Sequence, residues 1–236
     1  MLDSFIALDI ETTGLVPGKD NIIEIGALKV RGSKVVDRYS VLINPERPIP
    51  EKIVQLTGID ETMLKFAKRW DEIERSLLEF LEDDVLLGHN ILFDYSFLKA
   101  NFARNNIKFE KMGMDTLTLS KYFHGDLPSK SLVNMCAYYR IINESAHRAY
   151  SDAKASSDLY FKLLEQFYNN NSSVFKEKPL VYKVKKEEPI TIPQKNYLLD
   201  LIKYHKIDFA QAISELSKSQ ASKIIDKIIL ENGRIR

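Results

Sequence analysis

"FIALDIETTG", residues 5–14, places an acidic pair at the end of an apolar run, and its reading organises the rest of the chain. Residues Phe5 to Ile10 read as a short strand, apolar on both faces, of the kind that sits centrally in a sheet covered by helices. Residues two apart on a strand point the same way, so Asp9 and Glu11 aim both carboxylates at one small volume. Carboxylates that close raise each other's pKa unless something positive lies between them. A divalent metal meets that need.

Around this strand, "NIIEIGALKV" and "KVVDRYSVLI" are β-branched runs separated by "RGS", a hairpin beside the first strand. "DDVLLGHN" supplies another short buried strand. Helical periodicity covers 71–82, 92–105, 116–123, 131–139 and 151–168. Strands first, then strands alternating with helices, make a mixed α/β sheet.

A chain of 236 residues forms one large domain or an ordinary domain plus a small one. Its 44% hydrophobic and 28% charged content is that of a soluble globular protein. No apolar run approaches the roughly 20 residues needed to span a bilayer. The N-terminus "MLDSFIALDI" has neither a basic region nor a small-residue cleavage site, so the expectation is a cytoplasmic protein with no membrane partner. A single cysteine, Cys136, excludes an internal disulfide framework and reads as core. The net charge of +1 hides an asymmetry: residues 171–236 hold 13 of the 34 Lys/Arg but 8 of the 33 Asp/Glu. The polar run "NNNSSVFKEKPLVYKVKKEEPITIP" reads as a linker. The expected division is a body over 1–170, a linker over 171–190 and a small basic helical module over 191–236.

Two further acids stand out once helical faces are drawn. In "ILFDYSFLKANFARN", Asp94 shares a stripe with Phe97, Leu98, Asn101 and Phe102. In "AYSDAKASSDLYFKLLEQF", Asp152 shares one with Ala155, Leu159, Leu163 and Phe167, with Ser151 as the expected N-cap. An Asp in a first turn is ordinarily explained by the helix dipole, as for the outward Asp158. That account does not require an inward carboxylate at the end of an apolar stripe, which needs a partner. Asp9, Glu11, Asp94 and Asp152 are either four acids that share divalent ions or unrelated structural acids. For shared ions, an oxygen-only ligand set favours Mg²⁺ or Mn²⁺ over zinc.

The same residues resemble the DnaQ-like 3′→5′ exonucleases of the DEDD superfamily, in the branch with a catalytic histidine. "LDIETTGL" matches the first motif, "GHNILFDYSFL" the second and "HRAYSDA" the third, in the family's order and separation over about residues 3–168. "LTGI" at 56–59 and "MDTLTLSKYF" at 114–123 are similar to further family segments. The likeness is strongest to epsilon-type proofreading and Gram-positive replicative polymerase exonuclease domains. It implies an RNase H-like fold, a mixed five-stranded sheet flanked by helices, to which the tail's own helical patterns add the small module.

Carried over position by position, the resemblance implies that Asp9, Glu11, Asp94 and Asp152 hold two Mg²⁺ or Mn²⁺ ions and that His147 is the general base. Two ions roughly 3.5–4 Å apart polarise a scissile phosphate, orient a water and stabilise the leaving oxygen, while imidazole takes a proton near neutrality. His147 is expected on a mobile loop before the helix of Asp152. Without the motif it would read as a solvent-exposed loop histidine. Thr12 and Thr13 are expected near a terminal nucleotide, with Leu15 packing on its base. Asn90 and Phe93 match second-motif positions near substrate or core, with Phe93 assigned to core. His89 either faces substrate or makes a structural hydrogen bond. Trp70, Tyr95, Phe97 and Phe102 read as packing, and His124 and His205 have no partner at metal-ligand spacing.

In the tail, Leu198, Leu201 and Ile202 mark one apolar face, and Ile224, Ile225, Ile228 and Ile229 another, with helix-start signals in "ELSKSQASK". It reads as a small helical hairpin docking on the body or a partner, or as a basic clamp for nucleic acid. The implied activity is removal of nucleoside monophosphates from single-stranded or frayed 3′ ends, DNA ahead of RNA, in proofreading or repair with a separate polymerase or other replication protein. The alternatives are an RNA 3′-end-trimming exoribonuclease, a non-catalytic module recruiting a polymerase or helicase, and an endonuclease on the same scaffold.

Overall fold

The computed structural model describes residues 2–143, 145–184, 188–209 and 212–235. The apolar opening run forms β1 (Phe5–Thr12), paired on one side with β2 (Ile22–Arg31) and on the other with β4 (Leu86–Gly88). The two β-branched runs make the expected hairpin, with β3 (Lys34–Leu42) outside β2. Parallel to β4 runs β5 (Met112–Asp115), and antiparallel to that runs β6 (Lys178–Pro179). The sheet is six-stranded, in the order β3-β2-β1-β4-β5-β6.

Helices cover both faces of this sheet, as strands without a polar face require. Ile6, Leu8 and Ile10 of β1 pack with α3 (Trp70–Leu81) and α4 (Ile91–Arg104) through Ile73, Leu77, Phe97, Leu98 and Phe102. Phe5 and Ala7 point the other way, to α5 (Thr116–Phe123), α6 (Leu132–Tyr139) and α7 (Ala149–Asn171), through Leu119, Met135, Leu159 and Leu163. Strand alternation puts Asp9 and Glu11 on that second face, at the strand's C-terminal end. Short α1 (Glu51–Thr57) and α2 (Glu61–Leu64) enclose a smaller core of Ile23, Ile49, Ile59 and Leu64.

Three details depart from the sequence reading. The sheet has six strands where five were expected, because the stretch read as linker returns as β6. This two-residue edge strand is too short for any periodicity, and its Pro179 suits an edge. Phe175, in the same stretch, is buried against the second core, which is why the chain still packs on the body there. Ser151 is not an N-cap: α7 starts at Ala149, with Arg148 in the N-cap position making no side-chain cap bond, because the buried carboxylate of Glu24 accepts the Ala149 N–H.

The chain divides into two compact units, Met1–Val184 and Lys185–Arg236. In the second, α8 (Ile192–His205) and α9 (Lys218–Asn232) each begin with a capping box, Thr191 with Gln194 and Ser217 with Gln220. They close on Leu198, Leu201, Leu216, Ile225 and Ile228. Among the described residues, no helix is long and apolar enough to cross a membrane.

Candidate active site

The acids singled out by the sequence converge where β1 ends. β4 stops at Gly88, so the Ile10 amide has no strand partner. Asp94, in the first turn of α4, supplies one through Oδ1 at 3.0 Å. Asp94 is buried, and its stripe partners Phe97, Leu98, Asn101 and Phe102 are buried with it. From the opposite layer, α7 brings Asp152, also buried. Its Oδ2 accepts the His147 amide at 2.9 Å and its Oδ1 accepts Asn143 Nδ2 at 2.6 Å. Glu11, His147 and Asp152 each present a ligand atom within 4.8 Å of the others. Asp9 lies outside that closest trio but has Asp94, Asp152 and Glu11 as charged neighbours.

The electrostatics follow from this crowding. Burial first, then Asp94, Asp152 and Glu11, hold Asp9 well above the usual carboxylate range. Burial likewise holds Asp94 well above it, against the pull of the Ile10 hydrogen bond. Burial, then Asp152 and Glu24, push Glu11 up to about 7, while Arg148 pulls it back. Burial raises Asp152, opposed by Asn143 and the His147 amide. An oxygen-rich, uncompensated negative cluster of this kind fits one or more hard divalent cations, for which Asp9, Glu11, Asp94 and Asp152 are the candidate ligands. Asn143 also carries a buried Oδ1 without a hydrogen-bond partner, an acceptor left over beside the cluster.

His147 is exposed and sits in a turn just before α7, at φ 63°, the left-handed region. The preceding-loop placement expected from sequence is therefore the observed one. Around the pair on β1, the Thr12 hydroxyl donates to Gly14 O at 2.6 Å. The Thr13 hydroxyl accepts the Asn21 amide at 2.9 Å and Arg47 Nη2 at 3.3 Å. Both threonines are buried, so their hydroxyls brace the loop. Leu15 is 79% exposed and free to meet a ligand. Asn90 adopts φ 75° before α4, with its amide on Asp115 Oδ1 at 2.7 Å and its side chain making no cap bond. The Phe93 ring lies tilted against Phe97, centroids 4.9 Å apart, and packs partly buried against the first core.

His89 has both ring nitrogens engaged. Nε2–H donates to Lys130 O at 2.7 Å, which leaves Nδ1 as the acceptor facing the Thr116 hydroxyl at 2.9 Å. This is the structural alternative of the two readings, and burial lowers its pKa accordingly. Trp70, Tyr95, Phe97 and Phe102 are packing residues, and Cys136 is buried with its thiol pushed up to about 11 by burial. His124 bonds the Tyr139 hydroxyl and His205 bonds Gly233 O.

Three residues escaped the sequence reading. Asn143 orients Asp152, and Arg148, the residue before α7, pairs with Glu24. Glu24 had a readable signal: a charge in the otherwise apolar "IIEIGAL" raises the same question as Asp9.

Residues 6–160 match the RNase T-type family described as exonuclease. The DNA polymerase III PolC-type of Caldanaerobacter subterraneus subsp. tengcongensis is 33% identical over 96% of this chain, which spans 17% of that polymerase. The structure of Exonuclease X in complex with 5′-overhanging duplex DNA superposes with a TM-score of 0.58 at 20% identity, over 72% of this chain and 99% of the other. The nuclease domain of 3′hExo, a DEDDh family member bound to rAMP, gives a TM-score of 0.60 at 15% identity, over 75% of this chain and 96% of the other.

Proposed function

The chain belongs to the RNase T-type exonuclease family, and from that premise we propose that it hydrolyses phosphodiester bonds at 3′ ends, releasing nucleoside monophosphates. The observation that carries this reading is the convergence of Glu11, Asp152 and His147 at the end of β1, with Asp9 and Asp94 beside them. Divalent ions held by Asp9, Glu11, Asp94 and Asp152 would supply Lewis-acid polarisation of the phosphate and lower the pKa of the attacking water. The chain's own groups do the rest. Asp94 and Asp152 are fixed before substrate arrives, by Ile10 N–H on one side and by Asn143 and His147 N–H on the other. An imidazole nitrogen of His147 accepts the proton of the attacking water. Exposed Leu15 packs on the terminal base, beside the loop braced by Thr12 and Thr13, and the Asn90 side chain, which makes no cap bond to α4, meets the terminal nucleotide.

DNA is the favoured polymer because a relative that aligns over 96% of the chain is a DNA polymerase III. Under the same reading the protein works in the bacterial cytoplasm beside a polymerase or another replication or repair protein. The expected test result is stepwise mononucleotide release from linear 3′-labelled single-stranded DNA, slower release from matched RNA and none from closed circular DNA. Cutting of the circle would replace the exonuclease reading with an endonuclease. Faster release from RNA would make the protein an exoribonuclease.

A further inference from the structure

Glu24 is a buried carboxylate to which the reaction above gives no task. It is 3% exposed in an apolar strand. In the β1–β2 register it stands directly opposite Glu11, where a like charge is unfavourable. Its oxygens accept from Arg148 Nη2 at 2.8 Å, from Arg148 Nε at 3.1 and 3.2 Å, and from the Ala149 amide at 3.0 Å. A forked guanidinium–carboxylate pair with a buried acceptor is the strong and directional kind. Two residues along the same face of β2 is Gly26, where a Cβ would fall 2.0 Å from Tyr150 N. The start of α7 is therefore fastened to β2 twice, by backbone seated on Gly26 and by Glu24 gripping Arg148 and Ala149.

The residue immediately before Arg148 is His147. Its left-handed φ of 63° is one that a non-glycine residue keeps when its surroundings over-determine it. The surroundings here are the Asp152 carboxylate on its amide and the pinned guanidinium of its neighbour. We propose that the Glu24–Arg148 pair is a positioning device for His147: it locks the turn that holds the imidazole beside Glu11 and Asp152, so that the proton acceptor is in place before substrate binds. Neither Glu24 nor Arg148 belongs to the trio of ligand atoms from Glu11, His147 and Asp152. The inference rests on His147 being the general base.

The test combines kinetics with one substrate-free measurement. Wild type, Arg148→Met, Arg148→Lys, Glu24→Gln and His147→Ala, with Arg148→Met and Glu24→Gln also combined with His147→Ala, are assayed for kcat and KM at saturating Mg²⁺. The His147 amide exchange rate is followed by NMR in wild type and Arg148→Met. Half-exposed Arg148 is the safer site, so its variants carry the test if Glu24→Gln fails to fold. The expected result is a fall in kcat of about ten- to a hundredfold in Arg148→Met and Glu24→Gln with KM nearly unchanged. Arg148→Lys, which keeps the charge but loses the fork, falls between. In the His147→Ala background either change adds less than about twofold, as groups acting through one residue do. His147 amide exchange speeds up in Arg148→Met. Folded Arg148 variants with wild-type kcat, losses that multiply undiminished onto His147→Ala, or unaltered exchange each overturn the proposal. A wild type that releases no nucleotide sinks the proposed function instead, while the exchange rates still decide whether Arg148 anchors the turn.

Discussion

At the scale of single residues, the site is a balance of like charges held by neutral donors. Glu11 is held at about 7, and Asp9 and Asp94 are held well above their ordinary range by burial and by neighbouring carboxylates. A carboxyl whose pKa is raised on folding contributes stability below its unfolded pKa of about 4, and that stability is lost as pH rises through the folded value. The metal-free protein should therefore lose melting temperature as pH rises from about 4 through about 7. Mg²⁺ or Mn²⁺ should restore more at pH 8 than at pH 5, because the cation favours the ionised forms. A thermal melt series with and without chelator reads this directly; a flat profile would mean that the acids do not share one electrostatic site. His147→Ala should lower turnover by about a hundredfold or more without changing the melt, since the side chain is exposed and its loss removes a proton acceptor rather than packing. The acids were legible in the sequence because each is a charge on an apolar pattern. Glu24 carries that same signal, but its partner Arg148 is 124 residues away in sequence, and spacing alone cannot pair such residues.

At the scale of elements, the site depends on how closely α7 approaches the sheet. Gly26 lies opposite Asp9 on β2, and with no side chain it lets the α7 backbone rest against the strand. Gly26→Ala must push α7 away, because a Cβ would meet main chain, which cannot rotate aside as a side chain would. A cost of about 1–3 kcal/mol or more is expected in urea unfolding, with loss of turnover even where the protein folds. A Gly26→Ala protein with wild-type stability and activity would show that α7 is not seated there. The strand run, the hairpin and the long helices were readable because each exceeds one period of its pattern. The edge strand Lys178–Pro179 and the four-residue α2 span only about one period each, too little for a pattern to repeat, and tertiary contacts make them. The start of α7 was misplaced for a related reason: Ser151 has the local chemistry of a cap, but Glu24 captures the Ala149 amide first.

At the scale of the whole molecule, the two compact units invite separation after Val184. The first unit contains every acid of the site and both large cores, so a chain ending there should stay folded and keep its turnover on short oligonucleotides. The second has capped helices and a core of its own, and Ser217→Ala should cost it about 1 kcal/mol through loss of the N-cap. If the basic tail is a clamp, the truncated chain binds single strands more weakly and with a shallower dependence on salt. Unchanged affinity and slope would leave the tail as a docking hairpin. The central claim concerns the first unit, and its most direct measurement is mononucleotide release from a 3′-labelled single-stranded DNA by wild type and Asp9→Ala, with Mg²⁺, Mn²⁺ or chelator. The account predicts stepwise release that needs the metal and vanishes in folded Asp9→Ala. Release that persists in chelator, or in Asp9→Ala, would contradict it.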